Sequence, residues 1–397
     1  MRYLKRLALT IVALLLLGFI KGYFDRSGAV YADFYRNLLA NLQLLLFLCV
    51  IVVSAVQFII QKRSGRPVNG WKVLAIFLLL LGLLEVWMQY LLVHSRSIPS
   101  ALLDACREYY GNYGRNQLEF DNRCARYNGQ LSYTLRPNSH FAFNNYEFKT
   151  EYTTNSLGVR DDDSSMVRPE VICLGDSHTM GWGVNQQESF SEVLAATTKM
   201  RVLNAGVASY GTAREVLSLQ KMDLSQLKYL CIQYCGNDVT ENTAFVENNY
   251  HLTVMPEQKF DSLCATLRWR QKYYPFRHIL TIARFAMQQW KTGRTTDELN
   301  PAGQTAEFTR QAELFSNIIS HAALPPGVKI IVFDITGDAP MEQRFVNALK
   351  QLQQRKMEVI DIASFMKKDF FFPLDRHMNA SGHQKVAELL NKAMQNQ

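Results

Sequence analysis

The sequence predicts an α/β protein with a parallel sheet, preceded by three transmembrane helices at the N-terminus. Two observations predict this fold class. Long apolar segments are confined to the first part of the chain, and short apolar runs alternate with helix-like segments in the later part. Strands that are apolar along their whole length and separated by helices are typical of a parallel sheet covered on both faces.

The predicted membrane spans lie at about residues 4–20, 38–60 and 73–93. The second has no charged residue and the third is interrupted only by Glu85; both are long enough to cross a bilayer. The first is shorter and has an alternative interpretation, a signal-peptide core with a cleavage site at 29–32. A short membrane helix flanked by snorkelling basic side chains fits better, because that cleavage site lies far beyond the apolar stretch.

Glu85 has two interpretations, a functional site within the membrane or a residue satisfied by a neighbouring helix. The second is favoured, because no partner charge occurs in the other spans.

The distribution of basic residues predicts the orientation of these spans. The N-terminus is basic, and the loop between the second and third spans contains four basic residues and no acid: Lys62, Arg63, Arg66 and Lys72. Both regions are therefore expected in the cytoplasm. The predicted protein is a multi-pass protein of the bacterial inner membrane with its C-terminal part in the periplasm. The net charge of +8 has no accompanying nucleic-acid motif, so the bilayer is the expected partner and nucleic acid is not.

Three further regions follow the predicted membrane region, residues 1–95. Residues 96–145 form a polar, Tyr-rich connector, in which a disulfide between Cys106 and Cys124 is favoured. Residues 146–397 form the α/β domain, interrupted at about 240–326 by a predicted helical insertion. Within the insertion, residues 267–291 are amphipathic; they predict either a helix packed on the sheet or a lid near anionic headgroups or an acidic glycan.

Strand and helix patterns alternate through the α/β domain. An alternating strand pattern begins at Tyr146 and turns at 155–158. The core strands are predicted at 171–174, 201–205, 229–234, 329–335 and 358–362, and the helices at 189–198, 213–222, 341–356 and 380–394.

Polar loops follow three of these strands and precede the last helix. They read GDSHT (175–179), NAGVASYGT (204–212), CGNDVTEN (235–242) and PLDRHMNASGH (373–383). Because the carboxyl ends of parallel strands meet at one edge of a sheet, these loops are expected to converge there.

These four blocks, in this order, resemble those of the SGNH hydrolases, also called the GDSL-type esterase and lipase superfamily. The resemblance runs from about residue 146 to the C-terminus, apart from the insertion. It implies a three-layer α/β/α domain in a membrane-anchored bacterial member that acts on ester bonds without a metal or organic cofactor. It also implies Ser177 as nucleophile, His377 as base and Asp375 as the acid that orients the imidazole. The implied oxyanion donors are Ser177, Ser209 and Asn237.

Elementary chemistry supports these residue types. A serine hydroxyl is a weak nucleophile unless an adjacent base takes its proton. The histidine needs a carboxylate or carbonyl to fix its tautomer, and the oxyanion needs preorganised donors. The alternative is that Ser177 is only a helix cap. That role does not explain why the other blocks match the family pattern. His178 is expected to be a subsite residue at most, and His383 a surface or packing residue.

Two departures from the family pattern leave details open. The family often has a glycine where this chain has Ser209, with Gly206 and Gly211 nearby, so the identity of the second-block N–H donor is open. The family's last block is commonly Asp-x-x-His, whereas Asp375 lies two residues before His377. A main-chain carbonyl is therefore an alternative partner for the imidazole.

The expected function is a membrane-anchored serine esterase acting through a Ser-His-Asp acyl-enzyme mechanism. Its expected substrates are O-acetyl or other O-acyl groups of envelope glycan or lipid, and membrane proteins of envelope assembly are further candidate partners. If the acyl acceptor is a sugar hydroxyl rather than water, the same site serves an O-acyltransferase. An alternative of another class is a catalytically silent module that binds glycan or scaffolds a membrane complex.

Overall fold

The computed structural model describes residues 2–292, 301–335, 339–352 and 357–395. The chain divides into two compact units. The first consists of Met1–Arg115 and Ser262–Thr295, and the second of Asn116–Asp261 and Thr296–Gln397. The first unit therefore combines the apolar N-terminal region with part of the predicted insertion.

The helices and strands of the described residues are named in chain order. They are α1 (Arg2–Ser27), α2 (Ala32–Ser64), α3 (Gly70–Val93), α4 (Ser100–Tyr109), β1 (Ala125–Asn128), β2 (Ser132–Leu135), β3 (His140–Asn144), β4 (Lys149–Thr153), β5 (Val171–Leu174), α5 (Ser177–Met180), α6 (Phe190–Thr198), β6 (Val202–Asn204), α7 (Thr212–Leu219), β7 (Tyr229–Tyr234), α8 (Val239–Glu247), α9 (Glu257–Arg270), α10 (Arg277–Thr292), α11 (Pro301–Ser320), β8 (Lys329–Asp334), α12 (Ala339–Gln351), β9 (Met357–Val359) and α13 (Ala380–Gln395).

Two of the described helices, α2 and α3, are long and apolar enough to cross a membrane. The turn between them is defined by local signals. Gly65 adopts a left-handed conformation that ends α2, and the Asn69 side chain accepts a hydrogen bond from the Trp71 N–H at the start of α3. α1 is a helix of 26 residues but is not one of the two, so the predicted third span is not confirmed.

The second unit is built on a five-stranded sheet with the order β6-β5-β7-β8-β9, in which every pairing is parallel. The predicted parallel sheet is thus confirmed. α6 and α13 pack together over one core cluster of this sheet, and α7, α8, α11 and α12 pack among themselves. The strand order reverses between β5 and β7, which is where open α/β sheets bind ligands.

The predicted connector contains regular structure. α4 and its π-helical extension at Tyr110–Gly114 belong to the first unit, and the antiparallel hairpin β1–β2 opens the second. β3 and β4 form another antiparallel hairpin, so the strand pattern after residue 146 pairs locally and does not join the parallel sheet.

The favoured disulfide between Cys106 and Cys124 is wrong, because both cysteines are free thiols. Cys106 is buried on α4 in the first unit, and Cys124 is buried just before β1 in the second. Each thiol therefore fills the core of its own unit.

Close backbone approach explains a glycine in the second polar loop. A Cβ atom at Gly206 would lie 2.3 Å from the backbone nitrogen of Met180, which belongs to α5. Since a backbone nitrogen cannot move aside as a flexible side chain can, the loop after β6 reaches α5 only if this residue has no side chain.

We expect Gly206→Ala to lower the thermal stability of the full-length protein in detergent, because the added methyl group overlaps the backbone of α5. Overpacking of this kind costs about 1–3 kcal/mol, which corresponds to a drop in Tm of about 2–10 °C. Tryptophan fluorescence during heating measures the change. Gly129→Ala is the control, since a Cβ atom there meets nothing within 4 Å. Equal Tm values for the two variants would contradict the packing argument.

Candidate active site

Ser177 lies at a sharp turn from strand to helix. β5 ends at Leu174, and Ser177 is the first residue of α5. The Asp176 side chain accepts a hydrogen bond from the His178 N–H at 2.9 Å and so closes the turn. Gly175 has φ +153°, and a Cβ atom there would lie 2.1 Å from Thr179 Oγ1. The turn therefore requires glycine directly before the Asp-Ser pair.

A chain of hydrogen bonds joins Ser177, His377 and Asp375. Ser177 Oγ lies 2.6 Å from His377 Nε2, and His377 Nδ1 makes a short hydrogen bond with Asp375 Oδ1. Ser177 and His377 are each 7% exposed. The fold thus brings together two loops that are 200 residues apart in sequence.

The close spacing of Asp375 and His377 depends on a tight turn. The Phe372 N–H donates to the His377 carbonyl and the Arg376 N–H to the Phe372 carbonyl, both at 2.9 Å. Arg376, between the acid and the histidine, has a left-handed φ of +67°. This turn allows a carboxylate two residues before the histidine to contact the imidazole, so the carboxylate of Asp375, and not a main-chain carbonyl, is the partner of Nδ1.

The Glu147 side chain also stabilises the turn that contains Asp375 and His377. It lies in the connection between β3 and β4, and its carboxylate accepts hydrogen bonds from the N–H groups of Leu374 (3.0 Å) and Asp375 (2.6 Å). Two backbone donors in the loop that carries the acid are therefore satisfied by one side chain.

Trp182 contacts both the acid and the histidine. Its ring stacks on the His377 imidazole with centroids 5.0 Å apart, and its Nε1–H donates to Asp375 Oδ2 at 3.2 Å. The ring of His178, which is buried, lies 4.7 Å from that of His377. Sequence reasoning missed Trp182 and Glu147. The available signal for Trp182 was its position between Gly181 and Gly183, directly after the GDSHT block.

The structure places Ser209 and Asn237 in the loops after β6 and β7. Asn237 is exposed, and its side-chain amide lies near enough to the Asp176 carboxyl, beside Ser177, to counteract part of the rise in the pKa of that group. Ser209 has a left-handed φ of +60°, its hydroxyl donates to Glu119 Oε1 at 3.1 Å, and its carbonyl accepts from Arg214. Because its hydroxyl bonds to Glu119, Ser209 can donate to an oxyanion only through its backbone N–H.

Most N–H groups of the β6 loop are already engaged. Gly206 donates to Asn204 Oδ1 (3.1 Å), Val207 to the Gly175 carbonyl (3.1 Å) and Gly211 to Glu241 Oε1 (3.2 Å). Within the described chain, Ala208 and Ser209 are the two residues of 205–211 whose N–H has no acceptor. Neither nearby glycine is therefore available as the second-block donor.

Several carboxyl groups in and near the loops of the site are buried. Burial raises the pKa of Asp176, and it raises the pKa of Asp238 and Glu215 well above the usual range, with mutual repulsion adding to the effect. Burial also raises the pKa of Asp161 to about 7. Asp161 accepts the Asn204 N–H at 2.7 Å, at the end of β6. The loops of the site are therefore held in part by buried acids whose pKa is raised by burial.

The remaining polar residues of the last block are structural. His383 is fully buried, its Nδ1 accepts the Phe190 N–H at 3.2 Å, and burial lowers its pKa to about 3. Asn379 Oδ1 accepts from the N–H groups of Ser381 (3.0 Å) and Gly382 (3.2 Å) at the start of α13. No group of three or more His, Cys, Asp or Glu residues within the described ranges is arranged to hold a metal ion.

No protein-family model and no curated protein matches the chain. Among solved structures, it is similar to a member of the lipolytic protein G-D-S-L family from Veillonella parvula DSM 2008, with 12% identity and TM-score 0.33, over 57% of this chain and 98% of that one. It is also similar to a putative lipolytic protein of the G-D-S-L family from Desulfitobacterium hafniense DCB-2, with 14% identity and TM-score 0.30, over 56% and 97%.

A further likeness is to a carbohydrate esterase whose active site is described as displaying divergent catalytic and non-catalytic binding functions. The identity is 14% and the TM-score 0.31, over 58% of this chain and 69% of that one. Likenesses at these TM-scores carry no functional argument.

We expect Asp161→Asn to flatten the pH dependence of stability between about pH 4 and pH 7. Because the folded-state pKa is raised from 3.8 to about 7, the folded protein keeps a proton that the unfolded chain has lost in this window. The free energy of unfolding therefore falls as the pH rises, by up to about 1.4 kcal/mol per pH unit from this group.

Denaturant titrations of the full-length protein at several pH values measure this slope. Asp223→Asn is the control, because a lowered pKa places the effect of this exposed carboxyl below pH 4. An unchanged slope in Asp161→Asn would contradict the burial of an acid at this position.

Proposed function

We propose that the chain is a membrane-anchored serine hydrolase of the SGNH type that acts on acyl esters. One observation carries the proposal: the Ser177 hydroxyl contacts one imidazole nitrogen of His377, and the Asp375 carboxylate contacts the other. This arrangement suits activation of a serine nucleophile and stabilisation of the imidazolium that forms.

In the proposed reaction, His377 Nε2 takes the proton of the Ser177 hydroxyl as Oγ attacks the ester carbonyl. The tetrahedral intermediate collapses when the bond to the leaving alcohol breaks and the alcohol oxygen receives the proton from His377. The acyl group is then esterified to Ser177. An acceptor hydroxyl transfers its proton to His377, attacks the acyl carbon and releases Ser177 with its proton restored.

The proposed oxyanion donors are the N–H of Ser177, the N–H of Ser209 and the side-chain amide of Asn237. Ser209 is favoured over Gly206 and Gly211, whose N–H groups are engaged within the protein. Asn237 is supported by its place in the loop after β7, where its amide is exposed and near the Asp176 carboxyl, next to Ser177. Donors fixed before the reaction stabilise developing charge most effectively.

The proposed substrates follow from the proposed attachment of the hydrolase unit to the membrane. We propose a multi-pass inner-membrane protein with α2 and α3, and α1 as a third span, and with its hydrolase unit in the periplasm. A tethered site encounters envelope molecules, so O-acetyl or other O-acyl groups on envelope glycan or lipid are the proposed substrates. Transfer to water makes the protein an esterase, and transfer to a sugar hydroxyl makes it an O-acyltransferase with the same residues.

Ser177→Ala should abolish hydrolysis of a small aryl acetate by the full-length protein, lowering kcat at least ~1,000-fold, because no other hydroxyl contacts His377 Nε2 in the described part of the chain. It should also prevent covalent labelling by a fluorophosphonate probe. The control is Ser164→Ala at an exposed serine, which should keep both activities. Turnover that survives in Ser177→Ala would rule out the nucleophile.

Trp182→Phe should lower kcat by about 10–100-fold with little change in KM. The phenyl ring keeps the stacking on His377, but the hydrogen bond to Asp375 is lost, and a bond to a charged group contributes about 1.5–3 kcal/mol. Steady-state kinetics with the aryl acetate test this, with Trp71→Phe at an exposed tryptophan as the control. A change confined to KM would mean that Trp182 contacts substrate and does not position the acid.

A further inference from the structure

We propose that Tyr152 is a positioning residue for the proposed reaction, and that it acts by fixing Trp182 against Asp375 and His377. This role rests on the function proposed above and extends it, because Tyr152 lies outside all four polar blocks of the sequence. Tyr152 lies on β4, in an antiparallel hairpin that does not join the parallel sheet. The hairpin therefore takes part in organising a site at the edge of a sheet to which it does not belong.

The loop that carries Trp182 has two glycines in left-handed conformations. The φ angle is +83° at Gly181 and +81° at Gly183, directly before and after the tryptophan. A Cβ atom at Gly181 would lie 2.8 Å from Arg160 Nη1, so the loop passes close to a neighbouring side chain. Because glycine is the most permissive residue, neither glycine by itself fixes the direction of the indole. Contacts from other elements must do so.

The Tyr152 hydroxyl makes one hydrogen bond on each side of Trp182. It donates to the Gly181 carbonyl at 3.1 Å and accepts from the Gly183 N–H at 2.8 Å. The side chain is fully buried, and burial raises the pKa of Tyr152, so the hydroxyl keeps the proton that it donates. Since it is buried and bonded to the main chain, this hydroxyl acts on the loop and not on a substrate.

Arg160 holds the carbonyl groups of the same loop. Its Nη1 donates to the carbonyls of Met180 (3.1 Å) and Gly181, and its Nη2 donates to that of Val184 (2.7 Å). The guanidinium is fully buried and lies over the Tyr152 ring, 3.6 Å from the ring centroid. A buried charge is costly unless it is hydrogen-bonded, and this one is bonded to the loop. The Tyr152 ring therefore contacts Arg160, while its hydroxyl contacts the backbone beside Trp182.

The position of the indole decides whether Trp182 can contact the acid. The buried ring lies between the His377 imidazole, on which it stacks, and the Phe143 ring, with centroids 4.7 Å apart and an interplanar angle of 75°. The indole Nε1 lies 3.2 Å from Asp375 Oδ2, at the upper end of the usual range for an N–H···O hydrogen bond. A small displacement of the loop away from Asp375 would therefore break this bond.

The hairpin β3–β4 contacts the site at three points. Phe143 on β3 packs against the Trp182 ring, and Tyr152 on β4 holds the loop on either side of it. Glu147, in the connection between the strands, accepts from the Asp375 N–H. Both strands alternate exposed and buried residues, so one face of the hairpin is covered by the rest of the unit. Phe143 and Tyr152 both belong to that covered face.

Tyr152→Phe in the full-length protein tests this role, because it removes the hydroxyl and keeps the ring against Arg160. We expect kcat for the small aryl acetate to fall about 3–30-fold, since the Gly183 N–H loses its acceptor and the indole loses its fixed position. KM should stay within about 2-fold of its original value, because Tyr152 does not contact substrate. Steady-state kinetics measure both constants.

Tyr229→Phe is the matched control. The Tyr229 hydroxyl donates to the main-chain carbonyl of Met394 at 3.4 Å, and Tyr229 is the first residue of β7, at the end of the strand away from Ser177. This variant also loses a bond between a tyrosine hydroxyl and a carbonyl, but it should keep its kcat. Kinetics are measured at a temperature at which tryptophan fluorescence shows that every variant is folded.

A double-mutant cycle separates positioning through Trp182 from a general effect on the unit. Trp182→Phe already lacks the indole N–H, so adding Tyr152→Phe to it should lower kcat by less than a further ~2-fold. Losses that multiply in the double variant would mean that Tyr152 affects the reaction by another route, and would overturn the proposed role.

The other outcomes are also decisive. An unchanged kcat in Tyr152→Phe, with Ser177→Ala inactive, would overturn the role of Tyr152 and leave the proposed nucleophile in place. An equal loss of kcat in Tyr229→Phe, or a change in Tyr152→Phe confined to KM, would likewise overturn positioning by Tyr152. Full turnover in Ser177→Ala would instead overturn the proposed function on which this role rests.

Discussion

The hydrogen bond between Ser177 Oγ and His377 Nε2 is the interaction on which the organisation of the second unit depends. It joins the loop after β5 to the loop before the last helix, and Gly175, Glu147 and Trp182 each hold one of these two loops. Gly175 permits the turn that places Ser177 at the start of α5. Glu147 holds the loop of Asp375, and Trp182 contacts the acid and the imidazole together. The proposed nucleophile is thus fixed by rigid neighbouring loops as well as by its contact with a histidine.

Buried acid groups also lie in and near the loops of the site. The Asp176 carboxyl raises the pKa of both Asp238 and Glu215, and Asp238 raises that of Glu215, in addition to the effect of burial. Isolated buried carboxylates would cost several kcal/mol each, so the neutral form is favoured. A neutral carboxyl group can still accept from Thr212 and still close the turn at His178. The acids thereby tie together the loops that surround the proposed oxyanion site.

The parallel sheet and the residues that meet at its edge were predictable from the strand patterns and the polar loops in the sequence. β5 is fully apolar, β7 is apolar apart from Gln233, and glycine or polar residues follow both, so their ends are recognisable in the sequence. The four blocks identify Ser177 and His377 by type and order. Glu147 was not predictable, because it acts across a long sequence separation from a loop with no periodicity. Trp182 acts across a similar separation, and its place between two glycines after the GDSHT block was the one signal for it. The disulfide failed because spacing between cysteines does not reveal that each thiol packs in a different unit. An amphipathic pattern at 267–291 likewise reports an apolar face but not which unit will cover it.

The polar residues of α2 and α3 are explained by hydrogen bonds to a distant part of the chain. An acid near the centre of an isolated membrane helix costs about 2.5–3.5 kcal/mol on insertion scales, and asparagines add to that cost. Asn37, Asn41 and Glu85 are all buried, and all three bond to residues between Tyr273 and Thr281. These three buried side chains therefore have their hydrogen-bond partners only when residues 262–292 are in place. These helices and that segment consequently form one cooperative unit, in which distant parts of the chain supply each other's hydrogen-bond partners. Polar residues in a predicted span can thus indicate where another part of the same chain docks.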